Sequence, residues 1–272
     1  MIDIGVNLIH KRFDRDRGQV IERAQQAGVI HIIATGTSVW ASQQQRDLAK
    51  SYDGYLSTTA GVHPHNARRC DHTTRSLLVD LAADPSVVAI GECGLDFDRN
   101  FSPPDVQERW FSEQLDIAAQ VKLPVFLHCR AAHERFLAVL REHRHHLPAA
   151  VVHCFTGTRP ELHDYLDLDC HIGVTGWICD PRRGQGLRSL VSEIPLERLL
   201  IETDAPFLSP KNFPEEAGPG FDPGTTKGRN EPCYLGQVCN TVAEATGLEV
   251  LAIAHQTTLN AVRVFGLDQR LA

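Results

Sequence analysis

Four stretches share one layout: VVAIGE (87–92), PVFLH (124–128), AAVVH (149–153) and LLIETD (199–204). Each is a short aliphatic run that ends in a side chain able to bind a metal ion, namely Glu92, His128, His153 and Asp204. Continuous apolar runs of this length, as opposed to alternating ones, suit strands buried on both faces of a parallel sheet. Working outward, similar runs occur at Ile2–Val6, Val29–Thr35, Leu56–Val62 and Cys170–Val174. With Val87–Ile90, Val125–His128, Ala150–His153 and Arg198–Ile201 they make eight. Amphipathic stretches such as Asp16–Ala27, Ser38–Ser51, Pro104–Val121 and His133–His146 separate them and are long enough for crossover helices. Gly28 stands where a helix should stop, and Pro103 and Pro104 where one should start. Alternating β and α units predict an α/β fold with a parallel sheet, and eight of them predict closure into a single TIM-type (β/α)8 barrel.

The chain has 272 residues, close to the roughly 250 that one such barrel needs, so one hydrolase domain over 1–272 is expected. Glu231–Gly247 and Glu249–Phe265 read as closing helices, whereas Ala205–Pro232 is rich in Gly and Pro and reads as a long loop over one barrel mouth. Hydrophobic residues at 42% supply an ordinary globular core without staples. The eight cysteines form no C-x-x-C pair, which argues against a zinc ribbon or a redox motif. Cys93, Cys129 and Cys154 each adjoin a candidate ligand and are expected to face the helix layer as reduced packing residues. No run approaches the roughly 20 apolar residues of a membrane span, and Ile2 opens a strand pattern directly, so a cytoplasmic protein with no membrane partner is expected. The net charge of −7 would repel a polyanion overall, so any nucleic-acid contact must use local basic groups or bound cations.

In a β/α barrel the C-terminal strand ends converge on one face, which would bring Glu92, His128, His153 and Asp204 together. Two imidazoles and two carboxylates suit Zn²⁺, Mn²⁺ or another divalent cation with open positions for water. Such a cation lowers the pKa of water toward about 7 and polarises a phosphoryl or carbonyl oxygen, both of which serve hydrolysis. His63 and His65, in AGVHPH, follow the third run and would orient a water, contact a phosphate, or merely bond loop carbonyls. Asp96, in GECGLDF, would either fix a ligand imidazole or initiate the next helix. Arg130, Arg182, Arg183, Lys227 and Arg229 are candidate phosphate contacts on the same side. Phe97, Phe101, Phe155, Trp177 and Phe207 would stack unpaired bases or pack the core. The run His143 to His146 reads as a solvated helix end.

Taken together, DIGVNL, AGVHPH, AIGECGLDF, PVFLHCR, VVHCFTGT, IETDAPFL and GRNEP resemble the TatD family of metal-dependent deoxyribonucleases, over Ile2 to Pro232. The resemblance implies a β/α barrel and metal-dependent cleavage of DNA phosphodiesters by a 3′-to-5′ exonuclease preferring single strands, with RNA as a further substrate. By motif, Glu92, His128, His153 and Asp204 correspond to its metal ligands, and His63 and His65 to its substrate-proximal loop. The family's commoner pattern ends the first strand in His-x-His, where this chain has Gly5 and Asn7. A first metal position held by Glu92, Asp204, water and the Asn7 carbonyl would be oxygen-rich and favour Mg²⁺, with Mn²⁺ or Zn²⁺ as alternatives. His128 and His153 would serve a second, giving one or two ions. The expected catalytic groups are Asp204, Glu92 and His63, with His63, His65 and Arg130 contacting single-stranded substrate on a monomer. Two rivals stand beside this: a metal-dependent deacylase or amidohydrolase, and a non-catalytic binding protein on a degenerate barrel.

Overall fold

Eight parallel strands pair in chain order: β1 (Ile2–Val6), β2 (His31–Ala34), β3 (Leu56–Ala60), β4 (Val87–Asp96), β5 (Val125–Arg130), β6 (Ala150–Val152), β7 (Cys170–Val174) and β8 (Leu199–Ile201). The structure is a computed structural model and describes residues 1–213, 228–268 and 270. Just past β8 the chain returns to β1: Asp204 N donates to Gly5 O at 2.9 Å, and Asn7 N to Ala205 O at 2.8 Å. These bonds and the parallel bridge Val6–Ala205 close the sheet into a TIM-type barrel. Around it lie α1 (Arg17–Gln26), α2 (Val39–Ser51), α3 (Thr74–Ala82), α4 (Pro104–Val121), α5 (His133–His143), α6 (Arg159–Asp167), α7 (Gln185–Leu190), α8 (Leu235–Thr246) and α9 (Val250–Phe265).

Strand residues alternate between two apolar layers. Val125, Leu127, Ala150, Val152, Leu199 and Ile201 join the larger cluster with the helices. Their neighbours Phe126, Val151 and Leu200, with Ile33 and Ala89, belong to a separate cluster and fill the barrel's interior. Two residues further along the strand direction, the same inward positions become His128, His153 and Glu202. The lower interior is therefore greasy and the upper interior, at the C-terminal mouth, is polar.

β4 departs from the expected Val87–Ile90 by continuing to Asp96. Its register against β5 shifts between Gly91 and Cys93, so the alternation changes phase and Cys93 packs in the outer layer. Both glycines of GECG are required by this geometry. Gly91 and Gly94 have φ near +140°, and a Cβ on them would lie 2.2 Å from Phe126 O and 1.9 Å from His128 O. The closing helix starts at Leu235, after a short 3₁₀ turn at Pro232–Tyr234, and not at Glu231. Lys227 and the middle of the Gly- and Pro-rich loop lie outside the described residues. No described helix is long and apolar enough to cross a membrane.

Candidate active site

One carboxylate oxygen organises the polar mouth of the barrel. Glu92 Oε1 lies 3.1 Å from His128 Nδ1, 3.2 Å from His153 Nε2 and 3.3 Å from His63 Nε2. Burial alone would raise the Glu92 carboxyl, but His63 and His153, with hydrogen bonds from His128 and His153, hold it well below the usual carboxylate range. The same forces act in reverse on two of the rings. Burial opposes protonation of His153 and His128, yet the carboxylates of Glu202 and Glu92 beside His153, and of Asp96 and Glu92 beside His128, raise both. A divalent cation entering here would compete with protons for these ring nitrogens.

The partner of each second ring nitrogen decides what each histidine offers the site. His153 Nδ1 donates to Glu202 Oε2 at 3.0 Å, which leaves Nε2 as the nitrogen available to a metal. His128 Nε2 is buried with no hydrogen-bond partner; Asp96 Oδ2 stands 3.4 Å away without the alignment of a bond. A buried ring nitrogen without a hydrogen-bond partner is a polar atom that a bound cation could satisfy once the ring is deprotonated. His63, Glu92 and His128 lie close enough to share one ion. Yet His63 Nδ1 accepts from His65 N at 3.1 Å, so the neutral ring carries its proton on Nε2 and donates into the site. Burial, with His128 and His65 nearby, depresses the His63 pKa to about 4, which keeps it neutral.

Asp204 follows the closing bonds in a left-handed conformation, φ 52°. Its Oδ1 accepts from Asn7 Nδ2 at 3.2 Å, and burial, with Glu92 and Glu202 nearby, raises its pKa to about 7. Asn7 presents its amide nitrogen there, not the carbonyl oxygen expected from sequence. Asp96 takes neither of the two roles weighed for it as stated: Oδ2 bonds the substrate-side His65 Nε2 at 2.7 Å, and Oδ1 accepts from Asp98 N and Arg99 N in the turn after β4, well before α4 begins at Pro104.

Glu202 is the residue that sequence reasoning passed over. It is fully buried, and besides His153 it accepts from Cys154 N at 2.7 Å. Two glycines make room for its carboxylate. A Cβ on Gly5 would meet Oε2 at 2.3 Å, and one on Gly173 would meet Oε1 at 2.6 Å. The space a side chain at position 5 would enter is therefore filled from β8. The alternation Leu200, Glu202, Asp204 was the signal, because all three positions share one face.

At the rim, Arg130 is half exposed and pairs with Asp98 at 2.9 Å. Arg182 is exposed, while Arg183 lies over Trp177 at 4.4 Å and bonds Asp180. Arg229 corrects an expectation: it is buried, bonds Asp16 and Glu231, and packs on Phe13, so it anchors the end of the long loop to α1 instead of facing phosphate. Among the candidate aromatics, Phe155 is buried, Phe97 and Trp177 are half-buried, and only Phe101 and Phe207 are exposed. Phe101 stands edge-on to His65 at 4.8 Å, and Phe207 to His10 at 5.2 Å. Exposed Trp40, in the first turn of α2, was not singled out from sequence.

Residues 2–266 match the family model described as TatD related DNase. The 3′-5′ ssDNA/RNA exonuclease TatD of Erwinia tasmaniensis is 51% identical over 267 residues, covering 98% of this chain and 100% of that protein. Its namesake from Pectobacterium carotovorum subsp. carotovorum is 50% identical, with the same coverage. Among solved structures, YJJV, a TatD homologue from Escherichia coli K12, superposes with a TM-score of 0.87 at 29% identity, covering 98% of both chains. Matched along nearly its whole length by the family model, and by relatives at half identity, the chain belongs to the TatD related DNase family.

Proposed function

We propose that this protein is a metal-dependent 3′-to-5′ exonuclease acting on single-stranded DNA and RNA, with residues 1–272 forming one hydrolase domain. The observation that carries the proposal is the convergence of His63, His128 and His153 on Glu92 Oε1, in a chain half identical to relatives named as such exonucleases. Glu92, His128, His153 and Asp204 would hold the cation. His128 and His153 supply nitrogen lone pairs, and Asp204 stands near enough to Glu92 that the Glu92 charge adds to burial in raising its pKa. The carboxylate side suits Mg²⁺, the ion proposed to support activity, with Mn²⁺ as its substitute. When bound, the cation supplies Lewis acidity to a phosphoryl oxygen and makes water a stronger acid.

The remaining chemistry belongs to the chain's own groups. Asp204 Oδ1 or Oδ2 accepts the proton of the attacking water, and a carboxylate at the strand end beside Glu92 is placed for that transfer. His63 Nε2–H, beside Glu92 Oε1 at 3.3 Å, donates toward the phosphate. His65, held by Asp96, and Arg130 position the strand, and exposed Phe101 and Phe207 offer ring faces to unpaired bases. The protein works in the cytoplasm as a monomer under this proposal.

The test is a metal-titrated digestion of end-labelled single-stranded DNA, double-stranded DNA and RNA by chelator-stripped protein. Mononucleotides should leave the 3′ end of single strands once Mg²⁺ is restored, and His153→Ala should lose at least a hundredfold in rate. Turnover of an ester or amide panel without nuclease activity would establish the amidohydrolase rival instead. Tight strand binding without cleavage would establish the binding-protein rival.

A further inference from the structure

The segment that carries His65 continues as a 3₁₀ helix, Pro64–Arg69. Such a helix repeats every three residues, so side chains at i and i+3 eclipse. Pro64 and Ala67 make its buried face, Asn66 and Arg69 share a second, and His65 and Arg68 share the third. Arg68 therefore extends outward the line that begins at His65, and Arg69 stands beside it. Both arginines are exposed.

This short helix is held from two sides. Thr37 O accepts from His63 N at 3.1 Å and from Asn66 Nδ2 at 2.9 Å. Opposite, buried Ser102 accepts from Arg68 N and donates to His65 O, each at 3.0 Å, which sets exposed Phe101 next to the helix. Gln107 joins Ser102 to Asp96: its Nε2 donates to Ser102 O and its Oε1 accepts from Asp96 N, both at 2.8 Å. The carboxylate that holds His65 and the backbone that presents Arg68 thus belong to one network, fixed before a ligand arrives. Charge distinguishes the pair as well. Arg99 and Arg130 share Asp98, Arg183 is paired with Asp180, and Arg229 is buried. Among the described residues the Arg68 and Arg69 side chains have no carboxylate partner, and Asp71, just beyond them, is engaged by the backbone and hydroxyl of Thr73.

We propose that Arg68 and Arg69 guide the body of the strand, binding successive backbone phosphates on the 5′ side of the scissile bond; this rests on the exonuclease reading above. When the 3′ end lies at the metal cluster, all of the strand beyond the cut is on its 5′ side. A row of unpaired guanidinium groups leading away from His65 meets that part, and guanidinium forks suit phosphate oxygens. It also gives a chain of net charge −7 the local basic surface that a polyanion needs. Affinity then depends on salt and on strand length, and a dinucleotide, with no phosphate beyond the scissile one, gains nothing from the pair.

Binding of end-labelled oligothymidylate, followed by fluorescence anisotropy in chelator across about 50–200 mM KCl, tests this without turnover. Each neutralised phosphate contributes about 0.7 to the slope of log affinity against log salt on single strands, so Arg68→Ala/Arg69→Ala should flatten the slope by about 1.4. Arg68→Lys/Arg69→Lys should keep it, since charge sets this slope. Arg46→Ala/Arg263→Ala removes the same charge in the middle of α2 and the last turn of α9, and should behave as wild type. In Mg²⁺ digestions Arg68→Ala/Arg69→Ala should raise KM for the oligonucleotide about tenfold with kcat within about twofold. Its kcat/KM for thymidylyl-thymidine should match wild type. An unchanged salt slope, an equal flattening in Arg46→Ala/Arg263→Ala, or an equal loss on the dinucleotide would overturn the assignment. The expected slope difference in a wild-type protein that releases no mononucleotide would count against the exonuclease reading alone.

Discussion

Substituting Gly5→Ala places a methyl group where the Glu202 carboxylate now sits. The added Cβ would lie 2.3 Å from Glu202 Oε2 and 3.1 Å from Phe126 Cζ. A long side chain can often swing away from such a contact at little cost, but Glu202 is fully buried and held by His153 Nδ1–H and Cys154 N. Displacing it leaves a buried charge short of its partners, which costs about 3–5 kcal/mol and lowers Tm by on the order of 10 °C. His153 simultaneously loses the group that fixes its tautomer, so affinity for a divalent cation should fall roughly 10–100-fold. Thermal unfolding of chelator-treated protein measures the first effect, and Mn²⁺ titration the second. A double-mutant cycle isolates the cause: in a Glu202→Ala background, Gly5→Ala should cost less than about 1 kcal/mol further, because the obstruction is gone. Additive losses in the cycle, or a Gly5→Ala protein with wild-type melting and metal affinity, would refute the account of why this chain lacks a side chain at position 5.

Three other outcomes follow from the same structure. Buried His31 donates from Nδ1 to Gly54 O and accepts from Ser57 at Nε2, and burial lowers its pKa from 6.5 to about 4. The unfolded chain takes up this proton below about pH 6.5 while the folded ring resists until about 4, so stability should fall by roughly 3 kcal/mol across that window. Denaturant unfolding of His31→Gln should lack this slope; an unchanged pH profile would show that His31 is not its source. Arg229→Met removes the partner of buried Glu231 and of Asp16, and should cost about 3–5 kcal/mol in denaturant unfolding while leaving KM for single-stranded DNA within about twofold. A large KM increase without loss of stability would restore Arg229 as a phosphate contact. Phe101→Ala should raise KM for single-stranded DNA by roughly 5–150-fold, the worth of one base–aromatic stack, and leave a small diester unaffected; equal effects on both substrates would count against stacking.

Much of this was legible in the chain because parallel strands buried on both faces must be continuous apolar runs. The bounds of β1, β7 and α4 coincide with Ile2–Val6, Cys170–Val174 and Pro104–Val121. The convergence of Glu92, His128 and His153 was legible too, since each follows such a run and a barrel gathers strand ends. The phase change in β4 was not. It depends on Gly91 and Gly94 pressing against the backbone of β5, a contact between segments distant in sequence. Glu202 went unseen because its neighbour Asp204 satisfied the motif, although strict alternation from Leu200 points to both. Arg229 was misplaced for the same reason as β4: its partner Asp16 stands at the start of α1, and no local pattern announces an ion pair across the barrel's closure.

The central claim is that the groups around Glu92 share a divalent cation. Anomalous diffraction from crystals soaked in Mn²⁺ addresses it directly. The account predicts a strong peak within coordination distance of the Glu92 carboxylate and of at least two among His128, His153 and Asp204. A site without Mn²⁺ there, in crystals of protein that degrades single-stranded DNA in the same Mn²⁺ buffer, would contradict it.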